Sequence, residues 1–319
     1  MSKVSIVIPC YNVSAYIERC VRALENQTYK DFTAIFVDDC STDDTAEKIE
    51  YYKETSNLDI VFLKNKVNSG PAVSRNNGTQ YANSEYITFC DCDDWYEPEF
   101  LETFFNCFSD REVDIAFCGY HVVDEKGNKD ERQIISESKT MAYLDALRLD
   151  ADSLCMLMVR TDIMKQTPLP DLRNGEDMAV VPLLISRSRK CIALSKCMYN
   201  YFRRADSASQ KPTMKVVDSL VSSFEHVKQY FPVFLKRELE YIGIKNLLYS
   251  SIISLFSFSY DKEKAEQIIR DFEKDFPNWF ENSYINHLSS YKKVVLKLIH
   301  KRRYRFIKWV AIIRNFLTR

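Results

Sequence analysis

Five short runs of Val, Ile, Phe and Tyr recur through the first 118 residues, each followed by a stretch of helical periodicity. This alternation constrains the fold more than any other feature. The runs are Val4 to Ile8 (stopped by Pro9), Phe32 to Val37, Ile60 to Leu63, Tyr86 to Cys90 and Val113 to Cys118. Their near-continuous apolar character is that of strands buried on both faces. Between them, Ser14 is placed to cap a helix to about Leu24 that carries Tyr16, Ile17, Cys20, Val21 and Leu24 on one face. Ser41 followed by Asp44 resembles a capping box, Gly70-Pro71 opens a third helix, and Pro98 suits a first helical turn. Strand and helix in alternation predict an α/β fold, with a mostly parallel central sheet and helices on both faces.

After Gly119 the pattern loosens. Gly127-Asn128 punctuates a hairpin, Met141 to Leu149 reads as a helix, and Leu154 to Val159 as a further strand. A loop from Leu169 to Gly175 delivers Glu176-Asp177 to the start of a helix over Met178 to Ile185. Ile192 to Leu194 and Met198 to Phe202 read as closing strands. From about Lys215 the periodicity is helical. A boundary near Lys211-Pro212-Thr213 therefore divides the chain into an α/β domain, 1–211, and a helical region, 212–319.

The chemistry concentrates where the fourth strand ends, at Cys90-Asp91-Cys92-Asp93-Asp94-Trp95. Three carboxylates in four positions repel unless something positive lies between them. Asp91 and Asp93, two apart, point to one side of an extended backbone, and hard oxygens on one side suit Mn²⁺ or Mg²⁺. Ligands of open α/β sheets bind beyond the carboxyl ends of the strands, which is where this cluster falls.

Composition narrows the alternatives. With 46% hydrophobic residues and a net charge of −1, the chain is an ordinary globular one. Neither a glycine-rich dinucleotide fingerprint nor a P-loop occurs. The ten cysteines contain no C-x-x-C pair, and none of the four histidines is spaced with a cysteine as a zinc site would need. The cysteines read as small buried hydrophobes of a reducing cytoplasm. The chain enters a strand almost at once, with no signal peptide expected and no apolar segment long enough to span a bilayer.

The ordered set of motifs resembles the family 2 inverting glycosyltransferases of the GT-A nucleotide-sugar fold. The resemblance covers about Lys3 to Ser209. It rests on Val7-Ile8-Pro9-Cys10-Tyr11-Asn12, Gln27 to Phe32, Val37 to Asp43, Asn68 to Asn76, Asp91 to Trp95, Gly175-Glu176-Asp177 and Tyr199 to Arg203. It implies that Pro9 and Tyr11 hold the base and ribose, that Asp39 accepts hydrogen bonds from the base, and that Arg75 reaches the base or phosphates. Asp38 points the other way and supports the loop. Asp91 lies near the ribose, Cys92 contributes through its backbone, and Asp93, with Asp91, ligates the cation. Asp94, Trp95 and Glu176 line the sugar and acceptor side, and Asp177 is the general base. Two positions depart from the family pattern. Cys92 replaces a small or polar residue and sets an oxidisable thiol beside the cation, and Cys40 stands where a glycine commonly follows the paired aspartates.

The implied activity is metal-dependent transfer of a sugar, by default from a UDP-sugar, to a hydroxyl of a glycan or lipid-linked acceptor in cell-surface polysaccharide assembly. A sugar nucleotidyltransferase would need a glycine-rich basic loop after the first strand, and Pro9-Cys10-Tyr11-Asn12 has neither glycine nor lysine. A non-catalytic scaffold would not need Asp91, Asp93 and Asp177 together. A metal-dependent phosphohydrolase would carry its nucleophile nearer the first strand. The segment 291–319 has ten Lys and Arg and no acid, interleaved with apolar residues at helical spacings and with Tyr304 and Trp309 suited to headgroup level. That pattern predicts a helix lying on the anionic inner face of the cytoplasmic membrane or, alternatively, one packed on the domain with a solvated basic face, and no recognition fold accompanies the charge to suggest nucleic acid.

Overall fold

A computed structural model describes residues 2–149, 151–172, 174–203 and 213–317. The chain forms two compact units, one of Met1–Arg173 with Leu183–Ala205 and one of Asn174–Pro182 with Asp206–Arg319. Of the expected boundary residues, Lys211 and Pro212 lie outside the described residues.

The first unit begins with β1 (Val4–Cys10), α1 (Ile17–Glu25), β2 (Phe32–Asp38), α2 (Thr45–Thr55), β3 (Asp59–Lys64), α3 (Pro71–Tyr81) and β4 (Tyr86–Phe89). These four strands pair in parallel in the order β3-β2-β1-β4. Right-handed crossovers put α1 and α2 on one face, since both connections step the same way. They put α3 on the other face, because the step from β3 to β4 reverses direction. Accordingly α3 packs on β1 and β2, while α1 and α2 pack together. The reversal makes the gap between the ends of β1 and β4 the topological switch point, where open α/β sheets bind ligands.

Pro9 lies inside β1, opposite Val37, rather than stopping it. The Val7 carbonyl accepts the Cys90 N–H (3.1 Å). Pro9, two residues on, faces the same side, where β4 has already ended at Phe89. A missing N–H there removes no ladder bond.

Beyond β4 come β5 (Trp95–Tyr96), α4 (Phe100–Cys107), β6 (Val113–Val123), β7 (Lys129–Arg132), β8 (Lys139–Ala142), α5 (Tyr143–Ala146), β9 (Leu157–Arg160) and α6 (Thr161–Lys165). Then follow α7 (Glu176–Arg187) and β10 (Lys190–Phe202). β9 runs antiparallel between β4 and β6, so the sheet is mixed, with the parallel block β3-β2-β1-β4 at one edge. Several expected elements change. Met141 lies in β8, paired with Cys191, so only its continuation into α5 is helical. Leu154–Met156 forms a 3₁₀ turn ahead of β9, and the two expected closing strands are one bulged strand, β10. The Gly127-Asn128 hairpin joins β6 to β7 as expected.

The second unit is helical: α8 (Met214–Tyr230), α9 (Lys236–Ile242), a π-helical stretch (Gly243–Tyr249), α10 (Ser250–Phe258), α11 (Lys262–Asp275), α12 (Ser290–His300) and α13 (Tyr304–Leu317). Its core includes Phe224, Tyr241, Phe256, Phe272 and Trp279. No described helix is long and apolar enough to cross a membrane.

Candidate active site

At the switch point, the segments after β1 and β2 are stitched to each other. Asn12 adopts a left-handed conformation (φ 51°), which asparagine tolerates. Its N–H donates to Ser41 Oγ (3.0 Å), and its side-chain oxygen accepts the Thr42 N–H (2.9 Å). The Ser14 N–H donates to Asp43 Oδ2 (3.1 Å), and Asp43 also accepts the Thr45 N–H (3.1 Å). Neither serine caps as expected. α1 and α2 start without side-chain caps, and Ser14 and Ser41 join the two loops instead. Tyr11, beyond β1, is left 47% exposed, open to stack on a planar ring.

Asp39 is buried, and three donors engage it. Its carboxylate accepts from Ser69 N–H (2.9 Å), Gly70 N–H (2.7 Å) and Asn65 Nδ2 (2.7 Å), fixing the loop that opens α3. Of its roughly four lone-pair sites, about one is left for a base. Its first role is thus to shape the loop. Asp38 supports its own turn, accepting the Ser41 N–H (3.2 Å).

Arg75 is buried on α3, and its Nη2 donates to Asp91 Oδ1 (2.8 Å). Arg75 is expected to reach the base or phosphates, and one of its N–H groups is used in holding Asp91. Asp91 and Asp93 are both half-exposed. Asp94 is not. Its oxygens accept from the Tyr199 hydroxyl and the Phe202 N–H (2.7 Å), and it is 1% exposed. The sugar-side role expected of Asp94 is therefore corrected: it fastens the acidic loop to the end of β10. Burial first, and then repulsion from Asp91 and Asp93, push its carboxyl well above the usual range.

The expectation for Cys92 changes as well. Its thiol is buried and turned inward against Cys10 and Cys20, away from the carboxylates, while Cys20 also meets Cys90. An oxidant at the cation would not meet it. Sequence reasoning missed Arg19 altogether. Its guanidinium lies 4.5 Å over the Trp95 ring and 4.3 Å over Phe202, and donates to the Asp93 carbonyl. An α1 position facing the loop was its only signal. Trp95 is thus half-buried beneath Arg19.

This donor set fits a divalent cation. The site offers hard carboxylate oxygens on one segment, with Asp91 held by one oxygen and the other left over, and with like charges that a cation would relieve.

In the second unit, Glu176 and Asp177 form the first turn of α7. Gly175 before them takes φ +79°, and a Cβ there would sit 2.8 Å from Ser223 Oγ. The Ser223 hydroxyl donates to the Gly175 carbonyl (2.7 Å), so glycine is needed for both conformation and space. Glu176 is buried.

A family model described as Glycosyl transferase family 2 matches residues 5–167, just over half of the chain. The chain belongs to that family. The teichuronic acid biosynthesis glycosyltransferase TuaG of Bacillus subtilis is 28% identical over 199 residues, covering 62% of this chain and 78% of TuaG. Glycosyltransferase GlyA of Streptococcus pneumoniae is 28% identical over 69% of this chain, and the minor teichoic acid biosynthesis protein GgaB of B. subtilis is 26% identical over 73%. The match spans only 33% and 28% of those two proteins. Among solved structures, S. aureus TarS 1-349 with UDP-GlcNAc superposes with a TM-score of 0.70 at 20% identity, covering 97% of this chain and 90% of TarS. Mannosyltransferase PcManGT of Pyrobaculum calidifontis, with GDP-Man and Mn²⁺, gives 0.57 at 14%, covering 99% and 87%. The fold is GT-A, followed by a helical region.

Within family 2, Cys40 is this chain's departure at the turn after the paired aspartates. It takes φ +62°, the left-handed backbone that a glycine would adopt freely, and its side chain is exposed. The turn is kept, at the cost of about 1–2 kcal/mol that L-residues carry there. Cys40→Gly relieves that strain while loosening the unfolded chain by about 0.5–1 kcal/mol. The net expectation is a gain of up to about 1 kcal/mol, read as a higher urea midpoint with an unchanged slope. A lower midpoint would mean that the Cys40 side chain contributes to the turn.

Proposed function

We propose that this family 2 glycosyltransferase moves a sugar, with inversion, from a UDP-sugar to a hydroxyl of a glycan or lipid-linked acceptor in cell-surface polysaccharide assembly. The observation that carries the reading is the acidic segment at the β1/β4 switch point. There Asp91 is clamped by Arg75, and the backbone is pinned by Asp94 and Arg19. Teichuronic and teichoic acid assembly in the names of TuaG and GgaB, and UDP-GlcNAc in the TarS complex, support the polymer class and the nucleotide.

Tyr11 and Pro9 receive the base and ribose, with Asp39 offering its remaining acceptor site to a base N–H. Asp93, with Asp91, holds a divalent cation, Mn²⁺ or Mg²⁺, which when bound supplies Lewis-acid stabilisation to the departing diphosphate. Trp95 and Glu176 line the sugar and acceptor side. Asp177 takes the proton from the acceptor hydroxyl as it attacks. A panel of nucleotide sugars, read by donor-induced thermal stabilisation and metal-dependent hydrolysis, tests this. Stabilisation by UDP-sugars above other nucleotides is expected, and none by any member of the panel would refute the reading.

The tail reading is refined. α13 buries Ile307 and Ala311 completely yet exposes Phe306, Trp309, Ile312 and Ile313 on the other side, a stripe at helical spacing. Arg303, Arg305 and Arg314 are exposed around it. Tyr304 is not free for headgroups, because its hydroxyl donates to Glu266, and Arg302 pairs with Glu266 and Glu273. An exposed apolar stripe among bases is suited to an anionic bilayer, each near-surface base contributing about 1 kcal/mol. We therefore place the enzyme peripherally on the inner face of the cytoplasmic membrane. Deleting the tail would strip Val295, Leu296 and Ile299 from the core, so point variants are the sound test. Phe306→Glu with Trp309→Glu should abolish co-sedimentation with anionic vesicles at unchanged thermal stability. Undiminished binding would remove α13 as the anchor.

A further inference from the structure

Away from the acidic segment, three strands bring unlike ligands together. His121 on β6, Glu131 on β7 and Cys197 on β10 have ligand atoms within 4.8 Å of one another, the one such group among the described residues. The arrangement is built by the strands. His121 and Glu131 are directly opposed in the β6/β7 register. Cys197 is opposite Gly119 and lies between two register shifts of β10, where a bulge re-aims a side chain. Gly119 makes the room: a Cβ there would come within 2.6 Å of Cys197 Sγ and of the Arg132 carbonyl. The Cys197 thiol already meets the Glu131 carboxylate. His121 Nδ1 is buried and 3.6 Å from Glu97 Oε1, a carboxylate companion of the kind that orients ligating histidines.

We propose that His121, Glu131 and Cys197 form a second metal site, selective for Zn²⁺ and separate from the cation site at Asp91 and Asp93. Thiolate with imidazole and one carboxylate is a zinc-type donor set, whereas Mg²⁺ and Mn²⁺ prefer oxygen alone. Three protein ligands leave a fourth position for water. The site clips β7, whose four residues are all exposed, onto the sheet. Sequence spacing could not show it, because the ligands come from three different strands.

The test is titration of the full-length protein with Co²⁺ as a spectroscopic stand-in, followed by displacement with Zn²⁺. Thiolate-to-cobalt charge-transfer absorption is expected at one equivalent. It should be lost in Cys197→Ser, kept in Asp93→Ala, and need at least about tenfold more Co²⁺ in His121→Gln and Glu131→Gln. Glu131 is exposed, so its variant keeps the test open should Cys197→Ser fail to fold. Absence of the absorption at saturating Co²⁺ would overturn the proposal. So would its survival in Cys197→Ser, which would place the ion among Cys10, Cys20, Cys90 and Cys92.

Discussion

Asp93→Ala is expected to lower sugar transfer by about 10³-fold while leaving the fold intact. The two halves of that expectation have separate causes. The activity loss follows from removing a hard oxygen donor from the cation site, where charge stabilisation of several kcal/mol is at stake and about 1.4 kcal/mol is a factor of ten. The intact fold follows from how the segment is held. Arg19 grips the Asp93 carbonyl, and the neighbouring Asp94 fastens the segment to Tyr199 and Phe202. Asp94→Ala is the informative contrast, because it leaves buried donors without partners at about 1–3 kcal/mol each and should lower stability and activity together. Transfer rate, donor affinity and melting temperature measured on both variants separate the roles. Full activity of Asp93→Ala, or of the wild type in excess chelator, would refute cation-assisted transfer.

What the sequence disclosed follows from which forces are local. The runs forming β1, β2, β4 and the start of β6 are continuous and apolar because both sheet faces are covered, so their identity shows in any short window. β7 reads Lys-Asp-Glu-Arg and is a strand only because it pairs with β6. Its register could not be read, although Gly127-Asn128 marked the hairpin. Met141 carries a helical pattern yet lies in a strand for the same reason, since its partner is the distant Cys191. At the site, residue types at the strand ends were legible and their partners were not. Asp94 reads like its neighbours until Tyr199, 105 residues away, is brought against it. Ser14 and Ser41 look like helix caps because hydroxyl capping is a local habit, but the two loops claim them first. Cys40 was legible as an anomaly, and the structure shows that the backbone keeps the turn regardless.

Asp177→Asn is expected to lower kcat by about 10²–10⁴-fold with donor affinity near normal, as removal of a general base should. The substitution is nearly isosteric. The start of α7 is set by the left-handed Gly175 and by the Ser223 hydroxyl on its carbonyl, neither of which involves the Asp177 side chain. An amide can still accept a hydrogen bond from the acceptor hydroxyl but cannot take its proton, so binding and chemistry come apart in this variant. Gly175→Ala should behave differently. It strains the φ +79° backbone and crowds Ser223, displacing the helix start, so stability and kcat should fall together. The decisive measurement pairs donor titration calorimetry with single-turnover rates across pH. A general base predicts loss of the acidic limb of the rate profile in Asp177→Asn with the binding isotherm unchanged. A variant that turns over normally, or that loses donor binding in proportion to rate, would move Asp177 out of the proton-transfer step.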